Sequence, residues 1–364
     1  RYGLAITLGG VETQLVELTG AFNVFAAKGL YREPTPIVEV KDSAGNILYK
    51  WQDTGGDRAL DEKVAFLISD ILSDDGARSA VFGLGGLLNI PGNRVAVKTG
   101  TTDDKRDNYA VGYTNDFTVG VWVGNNNNAA MNPYVASGIT GATPIWNKFF
   151  KVYLADQEEP AKFEVPEGVT KMEVDELTGM LPTDGFSKRS EWFIDDSKPT
   201  AVSDWFSVLE ICKKDGNIAN DSCHDNGDTK KKTFVKISSA IPEWQYAVDA
   251  WVNEKFSGED KYFPPSIVTR LEFNDDGDAT NSSDIFVSIV GFDDGDTVPL
   301  DFRLRAEIST GKDIEKIRIY MDGEKVAEDG SKPFGYNFSL SPEQIGKHTF
   351  KVVAENEKGN KDDD

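Results

Sequence analysis

Residues 94–124 read RVAVKTGTTDDKRDNYAVGYTNDFTVGVWVG. Val95 and Val97 alternate along one run, Tyr109, Val111 and Tyr113 along a second, and Val119, Val121 and Val123 along a third. That period of two is the signature of half-buried β-strands. Thr114-Asn115-Asp116 supplies a tight turn between the last two. The first strand ends in Val97-Lys98-Thr99-Gly100-Thr101 and runs straight into a charged loop. Pleating puts Thr99 and Thr101 on one face, so two hydroxyls can donate to the same anion. Lys98 adds a positive charge with a long reach. Gly100 has no side chain, so another extended backbone can lie against the strand edge. A backbone N–H beyond it can form half of an oxyanion hole. Such a strand end suits the carboxylate of a peptide and polarises its carbonyl.

Around this hairpin the spacing predicts helices. Leu15, Leu18, Phe22 and Phe25 recur at helical intervals, with Gly29 placed as a stop. PIVEVKDSAGNILYKW reads as a strand pair turned at Ala44-Gly45-Asn46. In DEKVAFLISDILSD, Val64, Leu67, Ile68, Ile71 and Leu72 form one apolar stripe behind an Asp61 cap. Thr143-Pro144, a capping residue followed by proline at the first helical position, opens a closing helix through IWNKFFKVYL. Helices with an antiparallel sheet give an α+β class for residues 1–155. Residues 156–264 form a less regular connecting region, with strand-like KFEV, VTKMEV and SEWFI and a helical stripe in EWQYAVDAWVNEKF; it is expected to pack back on the first domain. From residue 265 to 364 the texture is all-β. Phe302, Leu304, Ala306 and Ile308 alternate, as do Ile317, Ile319 and Met321, and Phe350, Val352 and Ala354. Asp322-Gly323 signals a two-residue hairpin, and the whole reads as an immunoglobulin-like β-sandwich whose last strand edge is incomplete.

At 364 residues, the chain has 39 Lys and Arg against 61 Asp and Glu, a net charge of −22. That balance argues against a nucleic-acid partner, since a phosphate backbone needs a face rich in lysine and arginine. The apolar runs fall short of a membrane span, and the opening RYGLAITLGG has neither the basic start nor the cleavage site of a signal peptide. Cys212 and Cys223, close together in a polar loop, are expected to form a disulfide, which implies an oxidising compartment. Zinc is the weaker alternative, because only His224 adds a third ligand. Asp275, Asp276, Asp278 and Asp284 lack the glycine and glutamate of a calcium-binding EF-hand loop. No cofactor or metal is expected. With His224 and His348 as the two histidines, a Ser-His-Asp triad has little material.

The stretch AVKTGTTDDKRDNYAVGYTNDFTVGVWVGNNNNAAM resembles, over its whole length, the KTGT strand region of class A penicillin-binding proteins, the peptidoglycan synthases. YGLAITLGGVETQLVELTGAFNVFAAKG is similar to the helix after that family's second motif. VAFLISDILSDDGARSAVFG is similar to the helix before its KTG strand, and TGATPIWNKFF to its closing helix. ICKKDGNIANDSC and the β-rich tail resemble C-terminal extensions of such proteins. The resemblance implies a partial transpeptidase domain of the penicillin-binding/serine β-lactamase kind. It gives Lys98 the role of holding the second motif's hydroxyl and favouring the substrate carboxylate. Thr99 and Thr101 would bond that carboxylate beside Gly100, and the Thr101 backbone N–H would complete the oxyanion hole.

The family's nucleophile is the serine of S-x-x-K. The one S-x-x-K here is Ser309-Thr310-Gly311-Lys312, in the β-rich tail rather than at the start of a buried helix, and no S-x-N occurs. In the family both motifs lie upstream of the segment where this chain begins. The resemblance therefore implies the C-terminal piece of a longer D,D-transpeptidase, inactive on its own. The parent's partners would be the D-Ala-D-Ala end of a peptidoglycan stem peptide, an acceptor amine and β-lactams. It would act on the extracytoplasmic side of the cell membrane, held there by an N-terminal anchor that this chain lacks, with or without a glycosyltransferase domain. The alternative is a non-catalytic envelope-binding module derived from that family. A secreted carboxypeptidase of the same superfamily fits less well, because the VGYT and VGVWVG context resembles the synthases.

Overall fold

The computed structural model describes all residues except 1–2, 135, 242–243, 257, 282 and 357–358. The chain forms two compact units, one made of residues up to Val174 with Lys188–Pro199, the other of Asp175–Ser187 and Thr200–Asp364. Residues 156–264, read above as one connecting region, thus divide between the two.

In the first unit, α1 (Leu15–Ala26) is followed by β1 (Leu30–Tyr31), the hairpin of β2 (Glu39–Lys41) and β3 (Ile47–Lys50), and β4 (Asp57–Arg58), which pairs with β1. Gly29, at φ +89°, stops α1 as expected; a Cβ there would lie 2.2 Å from the Leu60 carbonyl oxygen. Next come α2 (Glu62–Ser73) and α3 (Asp75–Phe82). Asp61 caps α2 by accepting from the Lys63 N–H at 2.8 Å. The apolar stripe expected on α2 is corrected. Its buried face is Ala65, Phe66 and Ser69, with Leu67, Ile68 and Leu72 half-buried, while Val64 and Ile71 face solvent.

The antiparallel sheet that opened the sequence analysis is present. It consists of β5 (Ala96–Thr101), β6 (Asp107–Tyr113) and β7 (Thr118–Gly124), in that order. Ala96, on one face, packs with Tyr113, Phe22, Phe25 and Leu72. Val95, Val97, Ala110 and Val121, on the other, pack with Trp146 and Phe150 of α4 (Ala142–Ala155). The α4 start is also corrected: Gly141 stands at its N-cap and Thr143 lies inside the first turn, donating its hydroxyl to the Gly138 carbonyl at 2.7 Å. Gly112 lets α4 approach, since a Cβ there would lie 2.5 Å from the Ala96 carbonyl oxygen and 2.7 Å from the Trp146 ring. Tyr113, fully buried, shares a hydrogen bond with Ser69 at 3.0 Å, and burial pushes its hydroxyl up to about 12. A final pair, β8 (Val169–Asp175) and β9 (Lys188–Ile194), brings Trp192 edge-on to Phe66. KFEV is not a strand, yet its Phe163 packs against Tyr113.

The second unit begins with the hairpin of β10 (Phe206–Cys212) and β11 (Thr229–Val235), with the short helix α5 (Asp221–Asp225) between them and α6 (Gln245–Lys255) after. The remainder is antiparallel. β12 (Phe286–Val290), β13 (Asp301–Ser309) and β16 (Gly335–Ser339) form one sheet in that order. β15 (Glu324–Asp329), β14 (Ile314–Met321), β17 (Phe350–Asn356) and β18 (Lys361–Asp363) form the other. Side chains from both sheets share one core, including Phe302, Leu304 and Phe338 with Ile317, Ile319 and Val352. Asp322 and Gly323, both at positive φ, make the expected two-residue hairpin. No helix among the described residues is long and apolar enough to cross a membrane.

His348 lies between two acceptors, the Asp322 carboxylate at 2.7 Å from Nδ1 and the Gln344 carbonyl at 2.7 Å from Nε2. Both ring nitrogens therefore favour carrying a proton. The Asp322 contact, then the Gln344 carbonyl, raises the His348 pKa above 6.5, and His348 in turn lowers that of Asp322. The histidine's contribution is complete below its unfolded value and is lost as pH rises through the raised one. NMR titration should give His348 a midpoint above 6.5, and His348→Gln should remove that loss of stability on the alkaline side. In urea unfolding, Gly112→Ala should cost about 1–3 kcal/mol, because Trp146 has no room to retreat.

Candidate functional site: the KTGT strand edge

β5 pairs with β6 along one side, with Gly100 opposite Tyr109 and Thr101 opposite Asn108. Its other side carries no strand among the described residues. The Thr102 N–H donates to the Asp107 carbonyl at 3.1 Å, toward β6. Successive amides of a strand point to opposite sides, so the Thr101 N–H points to the open edge.

The pleat divides the side chains as expected. Thr99 and Thr101 share a face with Val97, and Lys98 lies on the opposite face with Ala96 and Gly100. Lys98 is exposed, its ammonium turned back to the Thr99 carbonyl at 2.7 Å. The Thr101 hydroxyl accepts the Gly138 N–H at 2.9 Å, which leaves its own O–H to donate elsewhere. The Thr99 hydroxyl has no partner among the described residues. The strand end therefore offers two hydroxyl donors, an outward amide and a nearby cation.

The charged loop after Thr101 has a structural task. The Thr102 hydroxyl accepts the N–H groups of Arg106 and Asp107 at 3.0 and 2.9 Å, closing a turn in which Lys105 takes a positive φ. From there Lys105 donates to the Pro133 carbonyl and Arg106 to the Asn128 carbonyl. These cations tie the asparagine-rich segment after β7 to the end of the KTGT strand. Trp122 adds a bond from its indole N–H to Asp107 at 2.9 Å.

Sequence reasoning missed Gly138. Its N–H orients Thr101, and a Cβ on it would lie 2.8 Å from the Thr99 Cβ and 3.3 Å from the Gly100 carbonyl oxygen. The two glycines of SGITG just before the helix start were the available signal.

The other residues singled out fall in the second unit. Cys212 and Cys223 are joined by a disulfide, with Cα atoms 5.9 Å apart, so neither offers the thiolate zinc requires. Ser309 ends β13 and is buried. It donates to Asp215 at 2.8 Å and accepts the Arg270 N–H at 2.7 Å, the bonding of a structural serine rather than a nucleophile. His224 lies 3.8 Å from Glu210. Asp275, Asp276 and Asp278 are exposed in a turn closed by Asn274, whose side chain accepts the Asp278 N–H at 2.8 Å.

A family model described as "Penicillin-binding protein 1A, C-terminal domain" matches residues 165–207, and one described as "Bacterial Ig domain" matches residues 286–352. The chain is 28% identical over 227 residues to penicillin-binding protein 1A of Clostridium perfringens, covering 59% of this chain and 26% of that one. It is also 28% identical over 207 residues to penicillin-binding protein 2D of Bacillus subtilis, covering 54% and 28%. Among solved structures, penicillin-binding protein 1A from Haemophilus influenzae overlays with a TM-score of 0.46 at 23% identity, covering 54% of this chain and 34% of that one. The chain spans about a quarter of the length of the curated relatives it matches. The resemblance to the C-terminal region of class A penicillin-binding proteins is supported by the family models and curated relatives together.

Gly138→Ala should cost about 1–3 kcal/mol in urea unfolding, because the added methyl must push residues 137–141 off the strand. A cost no larger than that of an exposed Ala substitution would mean the segment is free to shift.

Proposed function

We propose that this chain is the C-terminal part of a class A penicillin-binding protein and supplies the substrate-recognition edge of a D,D-transpeptidase. The supporting observation is the open side of β5, to which the Thr101 amide points, with the Thr99 and Thr101 hydroxyls on the adjoining face. A stem peptide extended along that edge would add a strand to the sheet, with Gly100 allowing close backbone contact. Its terminal carboxylate would accept from the two hydroxyls, in the field of Lys98. The carbonyl of the D-Ala-D-Ala bond would turn to the Thr101 N–H, which stabilises the oxyanion as charge develops there.

In this reading the serine nucleophile belongs to a segment preceding Arg1. Its oxygen attacks that carbonyl, D-Ala leaves with the terminal carboxylate, and a neighbouring stem-peptide amine takes the acyl group and releases the serine. β-Lactams, which carry a carboxylate and a strained amide, would acylate the same serine. The substrate places the protein outside the cytoplasmic membrane, where a Cys212–Cys223 disulfide persists. A transpeptidase part to residue 155 and an immunoglobulin-like sandwich from 265 belong to the same reading, with the residues between them shared by the two units.

Fluorescent-penicillin labelling tests it, comparing this chain with the protein extended upstream in its gene. The longer protein should label and this chain should not. Thr101→Val or Lys98→Ala should lower the labelling rate by about 10- to 100-fold, the range for a lost hydrogen bond to a charged group. Absence of labelling in both would sink the transpeptidase reading and favour a non-catalytic envelope module.

A further inference from the structure

We propose that the second unit binds a linear, phosphate-bearing polymer in two adjoining hollows beside β11 and β13. The hollows, of about 170 and 320 Å³, share Lys332 and Phe334 in their walls. The first is lined by Lys230, Lys232, Arg305 and Lys332, and the second adds Lys214 and Lys312. Four acids line them as well. Six cations to four acids reverses the balance of a chain that carries 61 acids and 39 cations.

The acids are largely committed. Asp215 accepts from Thr269, Ser309 and Asn217. Asp260 pairs with Lys232 at 3.6 Å and Glu307 with Arg305 at 3.0 Å, leaving Asp215 and Asp313 without an ion pair among the described residues. Lys214, Lys230, Lys312 and Lys332 likewise have none. The strand register explains how Lys230 comes to be unpaired. In TKKKT, Lys231 lies across from Glu210, while Lys230 and Lys232 lie across from Ile211 and Leu209 on the other face, the one that looks into the hollow. Lys230 and Lys232 are therefore about 7 Å apart along one face, a spacing that repeated charges on a polymer can match.

All four unpaired cations are lysines. Compact ammonium charges suit tetrahedral phosphate approached from several directions, whereas planar carboxylates favour the arginine fork. The concave walls favour a chain over a flat membrane surface.

The test is fluorescence anisotropy with labelled inorganic polyphosphate and the full chain at low ionic strength. Binding should weaken linearly in log–log salt dependence. The double variant Lys230→Glu/Lys332→Glu should raise Kd on the order of tenfold or more, with Lys230→Gln/Lys332→Gln intermediate and both circular dichroism spectra unchanged. Lys151→Glu on α4, with the same charge change per site, should leave Kd nearly unaltered. The proposal is overturned if polyphosphate does not bind, if Lys151→Glu weakens it as much as each hollow lysine, or if poly-glutamate or phosphatidylserine vesicles bind more tightly than polyphosphate.

Discussion

Trp146 lies fully buried against Gly112, and from that contact the working parts of the first unit take their positions. Only a residue without a side chain at 112 allows the indole to reach the sheet. The contact holds α4 across β6, with Phe150 and Ala142 completing the core on that face. Because α4 is held there, the segment that enters it passes over the end of β5. Thr143, in the first turn, fixes the Gly138 carbonyl, and the Gly138 N–H then reaches Thr101. A packing contact in the core is thereby converted, through two hydrogen bonds, into the orientation of a hydroxyl at the strand edge.

The second unit has a comparable node in Asp215. Its carboxylate gathers the hydroxyls of Thr269 and Ser309 and the Asn217 amide, groups from three separate stretches of chain. Asn217 continues to the Ile308 carbonyl at 2.9 Å, and its own carbonyl accepts the Cys212 N–H. Asp215 is half-buried, and a carboxylate partly withdrawn from water is costly unless its oxygens are satisfied, a demand the neighbouring donors meet. The arrangement also explains why a serine and lysine at motif spacing carry no nucleophile: the Ser309 hydroxyl is already spent on Asp215.

The parts of the fold legible in the sequence were those written by local rules. Alternation over residues 95–123 specified β5 to β7, Asp61 marked the start of α2, and Asp322-Gly323 marked a hairpin. Long-range choices were not legible. In TKKKTFV it is the pairing with β10 that sets Lys231 against Glu210 and turns Phe234 and Val235 inward. The buried face of α2 was misread because the stripe was centred one position off: Ala65, Phe66 and Ser69 turn inward, while Val64 and Ile71 face solvent. KTGT could be recognised, but the N–H that orients Thr101 comes from residue 138, and no local pattern links the two.

That last separation explains why a short polar motif can define a recognition edge at all. A strand end rich in threonine, glycine and lysine frays on its own, since its side chains bury little. Here the following turn is closed by the Thr102 hydroxyl and tied by Lys105 and Arg106 to carbonyls of residues 128 and 133, while Gly138 holds Thr101 from the face. Every one of these supports approaches from the face or from beyond the strand end. None occupies the open side of β5, so the edge gains rigidity without losing the outward amides through which an extended peptide would be read.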